Sequence, residues 1–321
     1  MTEENVISIN SNANSLRESI NTLINSSSYT QAQISRETSI GKTRLSQFLS
    51  NSYTGDNAPI ISTLSQWLEL HTNKQSVMPS APDFVKTTTA KQVISTLRYA
   101  QASRGDGMSV VMGAPGVGKS AAAKYYADNA PNCWLVVASP SLSSLVGFFY
   151  ELAMELGIDN PPRRANSLCH VIRHRLEGTN GLIVIDEADH LQLEVIEELR
   201  VMQQKVGVGL ALVGNPTVYG KMVGDSRKVD LSRLESRIAK RLSIPKVKQS
   251  DITSIATAWG LTSDVELDLI NNIAGKRGQL RKLSHTLRLA SMIAQGSNQR
   301  MNESHIRSAF NDLKQEGADH V

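Results

Sequence analysis

The run Gly113-Ala114-Pro115-Gly116-Val117-Gly118-Lys119-Ser120 constrains this chain more than any other stretch. Its spacing is glycine, four residues, then Gly-Lys-Ser. Met108 to Met112, just before it, is a short apolar run of strand character, and AAAKYYAD just after it reads as a helix. A strand that turns through glycines directly into a helix implies an α/β architecture built on a parallel sheet. Gly113, Gly116 and Gly118 allow the backbone to curl so that successive N–H groups point inward, and the helix N-terminus adds its partial positive charge. Such a cradle suits phosphate. Lys119 is placed to reach the terminal phosphates of ATP, and the Ser120 hydroxyl to ligate Mg²⁺.

A nucleotide site of this kind needs carboxylates at the end of a second strand, and LIVIDEADH (182–190) supplies them. Its unbroken apolar run suits an interior parallel strand covered on both faces. Asp186 then falls at the carboxyl end, where it can hold Mg²⁺, and Glu187 can orient and deprotonate an attacking water. A further apolar strand, LALVGN, ends at Asn215, whose amide can hydrogen-bond that water or the γ-phosphate; Asn215-Pro216 also suits a simple turn. In SRLESRIAKR (232–241), Arg233, Arg237 and Arg241 recur every fourth residue and share one face if the segment is helical. A guanidinium neutralises charge developing on a transferring phosphoryl group, although a solvated basic face has the same spacing.

In this order, the phosphate loop, Asp-Glu strand, Asn-tipped strand and arginine segment resemble the AAA+ ATPases over roughly residues 86 to 315. The resemblance implies a P-loop NTPase core with a parallel sheet and a C-terminal helical lid. It also implies that Arg237, with Arg233 second, is the arginine finger offered to a neighbouring subunit. GQLRKL (278–283) is similar to the family's second sensor, which makes Arg281 the lid residue that touches nucleotide. A narrower likeness is to the Mu B-type phage transposition proteins. It rests on a helix-turn-helix, a linker containing PSAPDFVKT, GLIVIDEADHL and SRIAKR. That likeness implies an ATP-dependent protein that forms helical homo-oligomers on double-stranded DNA and stimulates a partner transposase.

Outside the nucleotide motifs, Thr30 to Tyr53 reads as two short helices joined at Ser39-Ile40-Gly41, a small all-α helix-turn-helix. Lys42, Thr43, Arg44 and Gln47 would then line the outer face of its second helix, able to reach bases and phosphates. A protein-binding helical bundle is the competing reading, because residues 1–85 carry a net charge of −2. Residues 86–245 carry +4 and 246–321 carry +2, a mild excess on the part that would face phosphate backbone. Arg163 and Arg164, after two prolines, suit an exposed loop facing DNA, with Arg173 and Arg175 on the helix beyond.

The expected domains are 1–70 (helix-turn-helix), 71–85 (linker), 86–245 (α/β core) and 246–321 (lid). The lid's four amphipathic helices carry Asp, Ser or Glu at their starts. His285 and Arg288 are expected at the lid surface, and the loop 224–230 has no assigned role. The tail KQEGADHV is expected to fray. Cys133 and Cys169 lack metal spacing and read as core residues. No span is apolar enough for a membrane and the polar start is not a signal peptide, so a cytoplasmic location is expected. A replicative helicase loader or initiator would use the same nucleotide site. A nucleotide-sensing repressor would not need Glu187.

Overall fold

A computed structural model describes residues 3–25, 29–53, 55–77, 82, 84–223, 235–276 and 278–315. The chain divides into two compact units, Met1–Ser80 and Ala81–Val321.

The second unit is built on five parallel strands: β1 (Met108–Gly113), β2 (Cys133–Val137), β3 (Leu182–Asp186), β4 (Gly209–Gly214) and β5 (Ile238–Ile244). Their order in the sheet is β2-β3-β4-β1-β5. The three interior strands are buried along their whole length, which is why they read as unbroken apolar runs. Alternate side chains on them feed two cores. Ile183, Ile185, Leu210 and Leu212 pack beneath α7 (Leu145–Glu155), α8 (Ala165–Leu176) and α9 (Leu193–Val206). Leu182, Val184, Ala211 and Val213 pack beneath α5 (Thr88–Ala102) and α6 (Lys119–Asn129).

One element departs from the sequence reading. The arginine segment does not continue as a helix through Arg241, because β5 begins at Ile238 and pairs with β1 from Met108↔Ile238 to Gly113↔Ile244. Burial in IAKRLSI has period two: Ile238, Lys240 and Leu242 are partly covered, while Ala239, Arg241 and Ser243 are exposed. That alternation, together with a ladder along β1, outweighs the helical spacing of the arginines. Arg237 and Arg241 therefore do not share a helix face. Arg233, the loop 224–230 and residues 316–321 of the tail lie outside the described residues.

Beyond β5 come α11 (Gln249–Ala258), α12 (Asp264–Ala274), α13 (Gln279–Gly296) and α14 (Glu303–Gln315), the expected lid. α10 (Pro216–Val223) follows β4. The lid has its own core of Ile270, Ile273, Leu283, Leu287, Ile306 and Phe310. Ser263 and Glu266 form a capping box at the start of α12.

The first unit packs α1 (Glu3–Asn25), α2 (Gln31–Thr38), α3 (Lys42–Leu49) and α4 (Ala58–Val77) around Ile20, Ile34, Leu45, Phe48, Leu64 and Trp67. Here α2 and α3 are the expected pair. Thr30 and Gln33 form a capping box, and the turn passes through Ser39 in the left-handed region at φ 57°. Buried Ser35, where such a motif often has alanine, satisfies its hydroxyl by donating to the Ile40 carbonyl at 2.7 Å. Two features were not anticipated: the long first helix, and the extension of α4 to Val77, beyond the expected boundary at residue 70.

Candidate nucleotide-binding site

The loop between β1 and α6 is shaped by what a side chain would strike. A Cβ on Gly113 would run into the Ile244 carbonyl of β5, the same carbonyl that accepts the Ala114 N–H at 3.1 Å. Gly116 has φ 81°, and a Cβ there would collide with the carbonyl of Gly278 in the lid. Its own carbonyl accepts the Leu280 N–H at 3.0 Å, so lid and phosphate loop touch backbone to backbone. Gly118 (φ 95°) turns the chain into α6, and Lys119 is the first helical residue.

Lys119 is 7% exposed and donates to the carbonyls of Gly113 (2.7 Å) and Ala114 (3.0 Å). Burial pulls its ammonium below the usual lysine range; the carboxylates of Glu187, Asp186 and Asp189 oppose that shift, and Arg281 reinforces it. Val117 points away from the loop into the core under α5 and α6.

Asp186 closes β3 and is buried, and its Oδ1 accepts the Glu187 N–H at 3.0 Å. Glu187 sits in the left-handed region (φ 52°) at the head of a 3₁₀ turn, Ala188–His190, that sends the chain sharply off the sheet. Asn215 follows β4 directly, with its backbone N–H 3.2 Å and its Nδ2 3.3 Å from the Asp189 carboxylate.

These groups border one cavity of about 370 Å³ between the core and the lid. Pro115, Gly116, Gly118, Lys119, Ser120, Glu187, Asn215 and Arg281, all expected from sequence, line it. Gly113, Ala114, Val117 and Asp186 support the wall from behind. Arg237 is exposed and is not part of the wall. The rest of the lining includes apolar side chains, among them Phe84, Val85, Ile255, Trp259 and Leu280, the last beside the glycine loop. Sequence reading missed this apolar part, since Phe84 and Val85 lie in what looked like linker. It also left His285 and Arg288 at the surface, whereas with Arg281 and Ser284 they form the lid wall of the cavity. Their spacing (281, 284, 285, 288) is one helix face and was the available signal.

The basic residues expected to meet DNA sit as follows. Lys42, Thr43, Arg44 and Gln47 are exposed on α3, with the Arg44 guanidinium 5.6 Å from the Tyr53 ring centroid. Arg163 and Arg164 are exposed in the loop before α8. Arg173 donates to the Cys169 carbonyl (3.0 Å) and Arg175 to the Leu156 carbonyl (3.1 Å), so both are committed partly to their own backbone. In the lid, Lys276, Lys282 and Lys314 stand 4.7, 5.1 and 5.2 Å from the Phe310 ring centroid, a cluster not singled out from sequence. No described helix is long and apolar enough to cross a membrane.

Residues 101–222 match the family described as AAA domain, and residues 236–313 the family described as Mu B transposition protein, C terminal. The ATP-dependent target DNA activator B of Escherichia phage Mu is 42% identical over 94% of this chain and 96% of its own. The Mu-like prophage FluMu DNA transposition protein B of Haemophilus influenzae is 42% identical over 82% of this chain and 92% of its own. Among solved structures, the Aeropyrum pernix ORC1 protein in complex with DNA superposes with a TM-score of 0.53 at 18% identity, covering 75% of this chain and 69% of that one, a likeness of fold. An AAA+ P-loop fold, a glycine cradle facing Glu187, Asn215 and Arg281, and 42% identity over nearly the whole chain identify this protein as a member of the Mu B family of transposition proteins.

Proposed function

We propose that this protein is an ATP-hydrolysing, DNA-binding regulator of transposition. In this reading it assembles on double-stranded target DNA and passes that DNA to a partner transposase. The observation that carries the reading is the convergence of Lys119, Ser120, Glu187, Asn215 and Arg281 on one cavity whose lining also includes apolar and aromatic side chains. Phosphate fits the glycine loop, and a flat heterocycle fits between Phe84, Val85, Ile255 and Trp259.

Lys119 exchanges its loop carbonyls for phosphate oxygens when nucleotide binds, which relieves the cost of its burial. Ser120 and buried Asp186 are the oxygen donors that suit Mg²⁺; bound there, the ion would supply charge neutralisation at the β- and γ-phosphates. Glu187 orients a water and takes its proton, Asn215 hydrogen-bonds the water or the γ-phosphate, and Arg281 draws the lid onto the nucleotide. Arg237, outside its own cavity, acts on the site of a neighbouring copy. Occupied sites hold copies together on DNA, and hydrolysis releases them. The names of the relatives, a target DNA activator and a DNA transposition protein, support the transposition role over a helicase loader.

Electron microscopy of the protein with arbitrary-sequence duplex DNA, in ATP and in ADP, tests this reading. Filaments in ATP alone are expected, and Glu187→Gln is expected to keep them while abolishing turnover. Unchanged turnover in Glu187→Gln would remove the hydrolytic mechanism, and discrete rings would favour the loader.

A further inference from the structure

Asp189 lies three residues beyond the metal-type aspartate, in a turn that otherwise only redirects the chain, yet its carboxylate reaches across to the adjacent strand. It stands 3.2 Å from the backbone nitrogen of Asn215 and 3.3 Å from its side-chain nitrogen. Gly214 makes that reach possible: a Cβ there would come within 2.7 Å of Asp189 Oδ1 and 2.6 Å of Val218 Cγ2. β4 thus ends in the residue that leaves room for this carboxylate.

A carboxylate at neutral pH only accepts hydrogen bonds. The Asn215 amide must therefore face Asp189 with its nitrogen, and the reverse orientation would set two oxygens against each other. With the backbone N–H held by the same group, the side chain is fixed at two points. Asn215 alone is a two-torsion side chain on a loop, free to present either end of its amide to the cavity. Asp189 is also electrically part of the site, because its charge acts on Lys119 and its carboxylate lies within 4.8 Å of ligand atoms on Glu187 and His190.

We infer that Asp189 is a positioning residue for hydrolysis, clamping the Asn215 amide in one orientation so that its remaining polar atoms meet the reacting end of the nucleotide. This rests on the ATPase reading above. Misplacing a polar group beside a reacting atom costs rate far more than affinity, so removal of the clamp should lower turnover about 10- to 100-fold with KM for ATP changed by less than about twofold.

The test compares ATP turnover of Asp189→Ala, Asn215→Ala and the double variant in the full chain, with nucleotide affinity measured alongside. Each single variant is expected to lose turnover at near-constant KM, and the double variant to be no slower than the worse single. Asp189→Asn, which keeps one acceptor oxygen, is expected to fall between parent and alanine. Full turnover in Asp189→Ala, or losses that multiply in the double variant, would overturn the clamp, as would a loss confined to KM. A second readout does not depend on hydrolysis: in Asn-labelled protein, the Asn215 side-chain amide protons should be protected in the parent and exposed in Asp189→Ala. If Glu187→Gln left turnover intact, the ATPase reading would fail, and that NMR signature would still decide the clamp.

Discussion

Removing the carboxylate of Asp251 should loosen the lid from the core. Asp251 and its partner Thr89 are both 0% exposed. The carboxylate accepts the Thr89 N–H at 2.9 Å and the Thr89 hydroxyl at 2.5 Å, and reaches back to the Lys248 N–H at 3.3 Å. One side chain therefore caps α11, its own helix, and also the start of α5, 162 residues away in sequence. Alanine would leave two buried donors of Thr89 without partners. Hydrogen bonds to a charged group, with the cost of stranding what they satisfied, put the loss at roughly 3–5 kcal/mol. For a unit of this size that corresponds to a fall in Tm of about 6–20 °C. Nucleotide affinity should fall too, because Thr87 and Ala90 at the α5 end, Ile255 on α11 and Trp259 just after it line the cavity. Calorimetry of Asp251→Ala and of Thr89→Val, which removes the hydroxyl alone and should cost about 1–2 kcal/mol, gives both numbers. A melt of Asp251→Ala within about 2 °C of the parent would refute the reasoning, since a carboxylate buried with these donors cannot be deleted at no cost.

Other consequences are equally direct. Gly116→Ala, which forces a side chain against the Gly278 carbonyl at φ 81°, should weaken ATP binding by about tenfold or more while the first unit melts as before; equilibrium titration with a fluorescent ATP analogue checks it. Lys119→Met should abolish nucleotide binding without lowering Tm at neutral pH. The depressed lysine value means the buried charge opposes folding, fully so below its folded-state pKa, and this cost disappears as the pH rises through 10.5; Tm of parent and variant compared from pH 7 to 10.5 gives the sign. Burial pushes the Cys133 thiol up to about 12 and the Cys169 thiol to about 11, so at pH 8 neither should react with a thiol reagent until the protein is denatured. Lys119→Ala mixed in equal amounts with Arg237→Ala, each inactive alone, should recover up to about a quarter of parental turnover, because half of the interfaces are mixed and one of their two orientations pairs an intact site with an intact arginine.

The nucleotide site was legible in sequence where its chemistry is local. A glycine loop, a strand ending in two carboxylates and a strand ending in Asn215 each carry their own spacing, and all end at the same edge of a parallel sheet by topology. What escaped was whatever depends on packing between distant segments. Phe84 and Val85 look like linker because nothing near them in sequence shows the cavity they border. His285 and Arg288 look like surface because polarity alone does not say that a helix face borders a cavity. Asp189 belongs to no spacing that singles it out, and its contact with Asn215 shows only once β4 is placed beside it. The arginine segment misled for the opposite reason: a four-residue spacing is a helical signal, yet IAKRLSI pairs along β1, and a sheet ladder decides the conformation.

Strand polarity also bears on the assembly proposed above. Every described strand is parallel, so the groups proposed to face phosphate all leave the sheet at its carboxyl edge. Arg237 precedes β5, and its carbonyl accepts the N–H of Met108, the first residue of β1, at 2.8 Å. The phosphate loop begins at Gly113, at the other end of that strand, roughly 17 Å away at about 3.3 Å per residue. An arginine side chain extends well short of that distance, and the interior between is filled by β1 and its neighbours. Arg237 therefore has no route to the nucleotide in its own cavity. If it stabilises the charge that develops during hydrolysis, it must do so on another copy whose carboxyl edge is turned toward it. Such a contact joins unlike surfaces, so repetition generates a ring or a helix rather than a closed pair. Duplex DNA is itself helical and offers phosphates at regular intervals, so in the function proposed above an open helical arrangement would repeat its DNA contacts along the duplex and complete one hydrolytic site at each junction.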